Sequence, residues 1–390
     1  MPEAVIVSAV RTAIGTARKG TLSETPAEEL ATHILREAVA RAGVAAEKVD
    51  DVIFAEAMYG GGDLARYAAV AAGMTHVAGQ AVNRHCAGSL TTVGNAAGSI
   101  RAGMDRIIVA GGVQSSSLSP RTSWRVPGTE DEWVDRMSPT FPYSEDATDD
   151  VTLTVGWNVA QHAGISREEM DAWAVRSHHR AAAAIAAGTF ADEISPIKVT
   201  TKDGATVDFA VDEHPRATSS VEKLATLKPL HPEIEGFSIT AGNASGVNDA
   251  AAALVIASDE AAREEGLVPL GTVRAWAAAG VQPRLTGMGA IDAARKVLER
   301  AGLTAADIDL WEINEAFASV PVAAVKLMGL DEDRVNIYGS GCSLGHPVAA
   351  SGARMLTTIT HELRRRGGGL GIATMCAGGG QGGAVLIEVV

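Results

Sequence analysis

The sequence predicts a layered α/β protein made of two similar halves with an irregular segment inserted between them. Three observations carry this reading. Hydrophobic residues are 46% of the 390, yet aromatics are only 4% and glycines number 42. Helices and sheets rich in small residues approach closely, which suits stacked α and β layers with buried central helices. Strand-length apolar runs alternate with helical patterns from Ala4 to Ala110. Finally, Gly43-Val-Ala-Ala-Glu-Lys-Val-Asp50-Asp-Val-Ile-Phe-Ala-Glu56-Ala57 aligns without a gap on Gly302-Leu-Thr-Ala-Ala-Asp-Ile-Asp309-Leu-Trp-Glu-Ile-Asn-Glu315-Ala316, at a constant offset of 259. Self-similarity on this scale marks a duplicated unit. A chain of this length also exceeds one ordinary core and implies two or three domains.

The elements follow in order. Ala4-Val-Ile-Val-Ser8 reads as a buried strand, followed by a turn around Arg11–Gly20. A helix runs from about Pro26 to Arg41 and closes at Gly43, where glycine suits the left-handed cap. Next come a strand at Asp51–Phe54, a helix at Asp63–Gly73, and a strand ending at Cys86. A long helix (Gly88–Gly103) and a strand (Arg106–Ala110) complete the unit. In the second half, Asn336–His346 stands where the Cys86 turn stands in the first, and Leu370–Met375 matches Ile107–Ala110. Between the halves, Trp124, Trp133 and Ser138-Pro-Thr-Phe-Pro-Tyr143 give an irregular texture, followed by a polar helix from about Ser166 to Gly188. The chain returns through Asn248–Ile256 and a helix at Asp259–Gly266. The division expected is 1–117 with 247–270, an inserted loop domain at 118–246, and 271–390.

The net charge of −14 argues against nucleic-acid or membrane-surface partners. Three cysteines do not make a disulfide framework, no signal peptide opens the chain, and no apolar run is long enough to span a bilayer. A cytoplasmic enzyme is the expectation.

Two of the three cysteines occupy telling places. Cys86 ends an apolar run and opens a helix with Gly88 and Ser89, and a helix N-terminus favours the thiolate. Taken alone, such a residue is most often a small buried hydrophobe. However, His346 follows the Gly339–Gly345 loop and precedes Pro347 at a helix start, placed to take the proton of a thiol. Cys376 ends a strand and precedes three glycines, whose amides can bind an oxyanion. Two thiols and an imidazole are what a covalent thioester intermediate with a separate proton carrier requires. A zinc site would need four converging ligands, and Cys342, His346 and His85 do not supply them, so no metal is expected. The Gly-Lys-Ser/Thr ending of a phosphate loop and a dinucleotide fingerprint are both missing. His178-His179, on the polar helix, reads as solvated surface.

With these residues in view, the chain resembles a thiolase over essentially its whole length. The blocks are Asn83-Arg-x-Cys86, Thr240-Ala-Gly-Asn-Ala-Ser-Gly246-x-Asn-Asp249, Asn314-Glu-Ala-Phe317-Ala, Gly345-His-Pro-x-x-x-Ser-Gly352 and Cys376-x-Gly-Gly. The resemblance implies a five-layered α/β/α/β/α fold from two duplicated halves, an inserted loop domain, and a homodimer or homotetramer. It implies an acyltransferase that cleaves 3-ketoacyl-CoA with coenzyme A as co-substrate, or runs the reverse condensation, with no tightly bound cofactor. Cys86 would be the acylated nucleophile, His346 its base and Cys376 the acid or base at the acetyl-CoA carbon. Asn314 would order a water that forms one oxyanion hole with His346, and the amides of Cys86 and Gly378 would form the other. For the CoA, Arg216 is the candidate at the nucleotide. Ala241, Ser245 and Val247 match positions along the pantetheine, and Lys223, His231 and Phe317 match further CoA-side positions.

Three departures bear on substrate. The order after Cys86 is Ala-Gly-Ser, where relatives place the serine first. Gln114-Ser-Ser-Ser replaces the family's Glu-Ser-Met. Val151-Thr152 stands where short-chain biosynthetic members carry His-Met. The last change points away from acetoacetyl-CoA specialisation, towards a degradative enzyme of another acyl class. Two alternatives are a condensing enzyme of the ketosynthase kind, which would use Cys with two histidines, and a silent acyl-CoA binder or partner subunit. The chain keeps both thiols and the histidine.

Overall fold

The computed structural model of the protein describes residues 1–144 and 147–390. The first unit runs β1 (Ala4–Arg11), β2 (Gly15–Thr16), α1 (Ala27–Ala42), β3 (Asp51–Ala55), α2 (Leu64–Ala71), β4 (Ala78–Val82), α3 (Gly88–Arg101) and β5 (Ile107–Ser115). An excursion follows. It carries the hairpin β6 (Ser123–Arg125)–β7 (Trp133–Asp135), α4 (Asn158–Ala163), α5 (Arg167–Ala186), the hairpin β8 (Ile197–Thr200)–β9 (Thr206–Phe209) and α6 (Val221–Ala225). The chain rejoins the first unit in β10 (Asn248–Ser258) and α7 (Asp259–Glu264). The second unit holds β11 (Gly271–Gly280), α8 (Gly289–Ala301), β12 (Leu310–Ile313), α9 (Ser319–Met328), α10 (Ser351–Arg366), β13 (Gly369–Ala377) and β14 (Gln381–Val389).

Helix boundaries follow local chemistry. Gly43 ends α1 at φ 69°, a conformation open to glycine at no cost. Asp63 caps α2 by accepting the N–H of Arg66. Ser166 and Glu169 form a reciprocal capping box at the start of α5. The strand before Cys86 stops at Val82, four residues short of the boundary expected from sequence. Asn83–Cys86 instead makes a tight turn with His85 at φ 43°; the polar Asn83-Arg84-His85 follows the strand and does not extend it.

The strands form one sheet in the order β4-β3-β5-β10-β1-β11-β14-β13-β12, with β2 paired to β10. Within the sheet, the two halves join where Val5 and Ile6 of β1 pair with Thr272 and Gly271 of β11. The duplication survives in three dimensions. A short 3₁₀ turn at Ala46–Lys48 recurs at Ala305–Asp307, and β3 recurs as β12. The counterpart of β4 has shrunk to a single bridge between Trp311 and Val335.

Three buried apolar clusters define five layers. One lies between α1–α2 and the first half of the sheet, and one between α8–α9 and the second half. The third encloses α3 and α10 between the two halves. Here the small-residue composition is used. Trp276 of β11 lies where a Cβ on Gly94 of α3 would sit, only 2.6 Å away, so helix and strand close up because glycine is there. The layering places the N-termini of α3 and α10 side by side. The N–H of Ala353 donates to Ser89 Oγ at 2.9 Å, and a Cβ on Gly352 would come within 2.7 Å of Leu90.

Candidate active site

That juncture gathers the predicted chemistry. Cys86 lies just ahead of α3, and His346 lies just ahead of α10. Asn314 and Cys376 follow from register: β12 and β13 are parallel with Ile313 opposite Thr374, and the Asn314 N–H donates to the Thr374 carbonyl at 3.0 Å. Asn314 and Cys376 therefore lie at the same end of the sheet. The Asn314 Nδ2 lies 3.4 Å from both ring nitrogens of His346. Its Oδ1 is buried with no partner among the described residues, beside Gly341. The N–H of Gly378 points at the Cys86 sulfur, as does the N–H of Cys86 itself. The structure thus brings Cys86, His346, Asn314, Cys376 and Gly378 to one end of the sheet.

The tautomer of His346 follows from one hydroxyl. Ser351 Oγ has a single proton, which it donates to the Pro347 carbonyl at 3.0 Å. In its 2.7 Å contact with His346 Nδ1 it must then accept, so Nδ1 carries the ring proton and Nε2 keeps its lone pair. The N–H of His346 donates to Asn248 Oδ1 at 3.0 Å, and Asn248 Nδ2 donates to the Gly15 carbonyl at 3.0 Å. The Asn248 amide fills the space a side chain on Gly345 would need, and Gly345 itself sits at φ 106°. Both facts demand glycine there.

Burial dominates the electrostatics. The Cys86 thiol is pushed up to about 11 by loss of water, against the pull of the two amides. The helix N-terminus was expected to lower it. Cys86 instead stands ahead of the first helical turn, half-buried, and loss of water outweighs the pull of the amides. Cys376 is pushed up further by burial and by Cys86, whose thiolate would oppose a second one beside it. His346 is lowered to about 4 by burial and by the Arg354 guanidinium, so its imidazole is neutral at pH 7. The resting set is two protonated thiols and one neutral base.

A groove of about 610 Å³ collects the CoA-side candidates unevenly. Arg216, Ala241, Ser245 and Val247 line it. Lys223 does not; its Nζ donates to the Thr218 carbonyl at 2.7 Å. Phe317 is buried and pairs with Ala244 behind the groove wall. His231 is engaged elsewhere, by Asp150 at 2.9 Å and Glu233 at 2.7 Å. His178 corrects its expectation: it is 5% exposed, lines the groove, and its Nδ1 accepts the Arg216 N–H at 3.1 Å. The polar pattern of α5 had hidden it, because that helix is covered by the excursion it belongs to.

Sequence reasoning missed several members. Arg18 and Lys19, in the turn after β2, and His214 all line the groove. His214 Nδ1 donates to the Ser343 carbonyl at 2.9 Å, which turns Nε2 towards Gly246. Asn248 and Ser351 were within quoted motif blocks but were given no role. Their position in the Gly246-x-Asn and His-Pro-x-x-x-Ser patterns was the available signal.

Comparisons with known proteins identify the family. The model of the thiolase N-terminal domain matches residues 4–260, and that of the thiolase C-terminal domain matches 267–389. An acetyl-CoA acetyltransferase of Escherichia coli (strain K12) is 42% identical over 402 residues, covering 100% of this chain and 99% of that protein. A 3-oxoadipyl-CoA/3-oxo-5,6-dehydrosuberyl-CoA thiolase of the same organism is 40% identical over 405 residues, covering 100% of both. The crystal structure of the Bacillus anthracis acetyl-CoA acetyltransferase superposes with a TM-score of 0.91 at 40% identity, covering 100% of this chain and 99% of that one. With both domain models matched across nearly its full length, the chain belongs to the thiolase family of acyltransferases.

Proposed function

We propose that the protein is a CoA-dependent thiolase that cleaves a 3-ketoacyl-CoA to acetyl-CoA and a shortened acyl-CoA through an acyl-Cys86 intermediate. The observation that carries this is a thiol with two N–H groups aimed at its sulfur, next to a second protonated thiol and a neutral imidazole. As Cys86 attacks the 3-keto carbon, its proton passes to the free Nε2 of His346. The keto oxygen becomes an oxyanion held between the amides of Cys86 and Gly378. Collapse breaks the C–C bond. The thioester oxygen of the leaving acetyl-CoA enolate is stabilised by His346 and a water held by the Asn314 amide, and the enolate carbon takes the proton of Cys376. A thiol held protonated by burial is suited to that donation. In the second half-reaction the CoA thiol gives its proton to the Cys376 thiolate and attacks the acyl carbonyl, whose oxygen again lies between the amides of Cys86 and Gly378. The Cys86 sulfur leaves, taking back the proton held on His346, and the shortened acyl-CoA is released.

Coenzyme A lies in the groove, with Arg216 at the nucleotide and Ala241, Ser245 and Val247 along the pantetheine. Residues 118–246 act as the loop domain that covers it. Val151-Thr152 at the acyl end supports a degradative role, as in fatty-acid β-oxidation, over acetoacetyl-CoA specialisation. A cytoplasmic homodimer or homotetramer belongs to the same reading. The test is intact-protein mass after mixing with 3-ketoacyl-CoAs of differing length, with and without CoA, beside Cys86→Ala. An adduct on the wild type that CoA discharges supports ping-pong thiolysis. Tight CoA binding without any adduct would instead mark a silent binder.

A further inference from the structure

His85 takes no part in the steps above, yet it adjoins the reacting cysteine. Its φ of 43° is costly for a residue with a Cβ, and Asn83 Oδ1 holds it there by accepting the His85 N–H at 2.9 Å. The turn lays the ring against Gly378, where a Cβ would lie 3.4 Å from the His85 Cγ. Gly378 is the residue whose N–H points at the Cys86 sulfur. The ring Nε2 is hydrogen-bonded to Thr140 Oγ1 at 2.9 Å, a residue contributed by the excursion. Thr140 in turn rests on Gly379, leaving no room for a side chain there. His85, Thr140 and the Gly378–Gly379 turn thus form one polar wall beside Cys86. The Nδ1 of His85 makes no hydrogen bond to any described residue. Burial lowers the titration of His85 against the pull of Asp149, so the ring is neutral at pH 7.

We propose that His85 is a specificity-determining residue. It offers a hydrogen bond to a neutral oxygen substituent on the acyl group held by Cys86, favouring a hydroxylated or oxo-substituted chain over a plain alkyl chain of the same length. A carboxylate is disfavoured, because a neutral imidazole supplies no counter-charge and Asp149 lies nearby. The inference rests on Cys86 being the acylated thiol.

Four-carbon acyl-CoAs test it directly. Butanoyl-, 3-hydroxybutanoyl- and succinyl-CoA differ in the acyl group while sharing one reaction. In it the Cys86 sulfur attacks the thioester carbonyl, the C–S bond to CoA breaks, and CoA leaves as the thiol with the proton from Cys86. Acylation is followed by intact mass in the wild type, His85→Leu and His85→Gln. The wild type should react about tenfold faster with the hydroxylated ester than with butanoyl-CoA. His85→Leu should bring that ratio close to one, and His85→Gln should keep part of it. The proposal is overturned if the ratio is unchanged in His85→Leu, if all three esters slow equally, or if succinyl-CoA reacts fastest. No adduct from any ester in the wild type would overturn the Cys86 assignment itself, and the proposal with it.

Discussion

At the scale of single residues, most of the candidate chemistry was legible because the residue types are scarce. Only three cysteines occur in the chain, and the sequence context of two of them pointed to reactivity. The sign of the Cys86 shift was not legible, because it depends on how much protein encloses the sulfur. Raised to about 11, the thiol is protonated at neutral pH. Iodoacetamide should therefore alkylate Cys86 at a rate that keeps climbing through pH 9 in the free enzyme; a plateau near pH 7 would contradict the assignment. Ser351 is a positioning residue, since it holds the Nδ1–H of His346. Ser351→Ala should lower kcat about tenfold, the loss of one buried hydrogen bond, and leave KM for CoA unchanged. His178 supplies a stability test. Its titration is lowered to about 4 by burial and by His214, so the unfolded state binds more protons between pH 6.5 and 4. Folding stability should fall as pH drops through that window, by up to about 1.4 kcal/mol per pH unit. Denaturant unfolding should show a steeper acid loss in the wild type than in His178→Asn.

At the scale of elements, local rules held where the partner was local. The ends of α1, α2 and α5 follow from Gly43, Asp63 and the Ser166–Glu169 box, all within a turn of the boundary. The β4 boundary failed because pairing with β3 stops at Val82 and the polar Asn83-Arg84-His85 that follows turns, which depends on the neighbouring strand's length. The excursion is tied down by Arg11 of β1, which is 1% exposed and bonds Glu193 at 2.7 Å and both oxygens of Asp212 at 2.8 and 2.9 Å. Arg11→Met should cost roughly 3–5 kcal/mol in chemical denaturation, because it leaves two carboxylates buried without their cation. Gly246 tests the groove. A Cβ there would come within 2.6 Å of His214 Nε2, so Gly246→Ala should raise KM for CoA about tenfold with little change in kcat.

At the scale of the whole molecule, the central cluster draws Ile6, Leu254 and Ile256 from the first unit and Val273, Leu356 and Val385 from the second. Neither unit can bury its share alone. Residues 1–260 expressed without the remainder should lack protected amides in α3 and β10 by hydrogen exchange; a well-protected fragment would refute the shared core. Sequence by itself determined the α/β class, the duplication and the reactive residue types, because periodicity, repeats and scarce side chains are written locally. Only the tertiary structure decided which candidates meet. Arg18, His178, His214, Arg216 and Val247 line one groove although they are far apart in the chain, and burial rather than sequence neighbours set the protonation of Cys86, Cys376 and His346. Proximity and desolvation are properties of the packed layers, and no stretch of chain contains them.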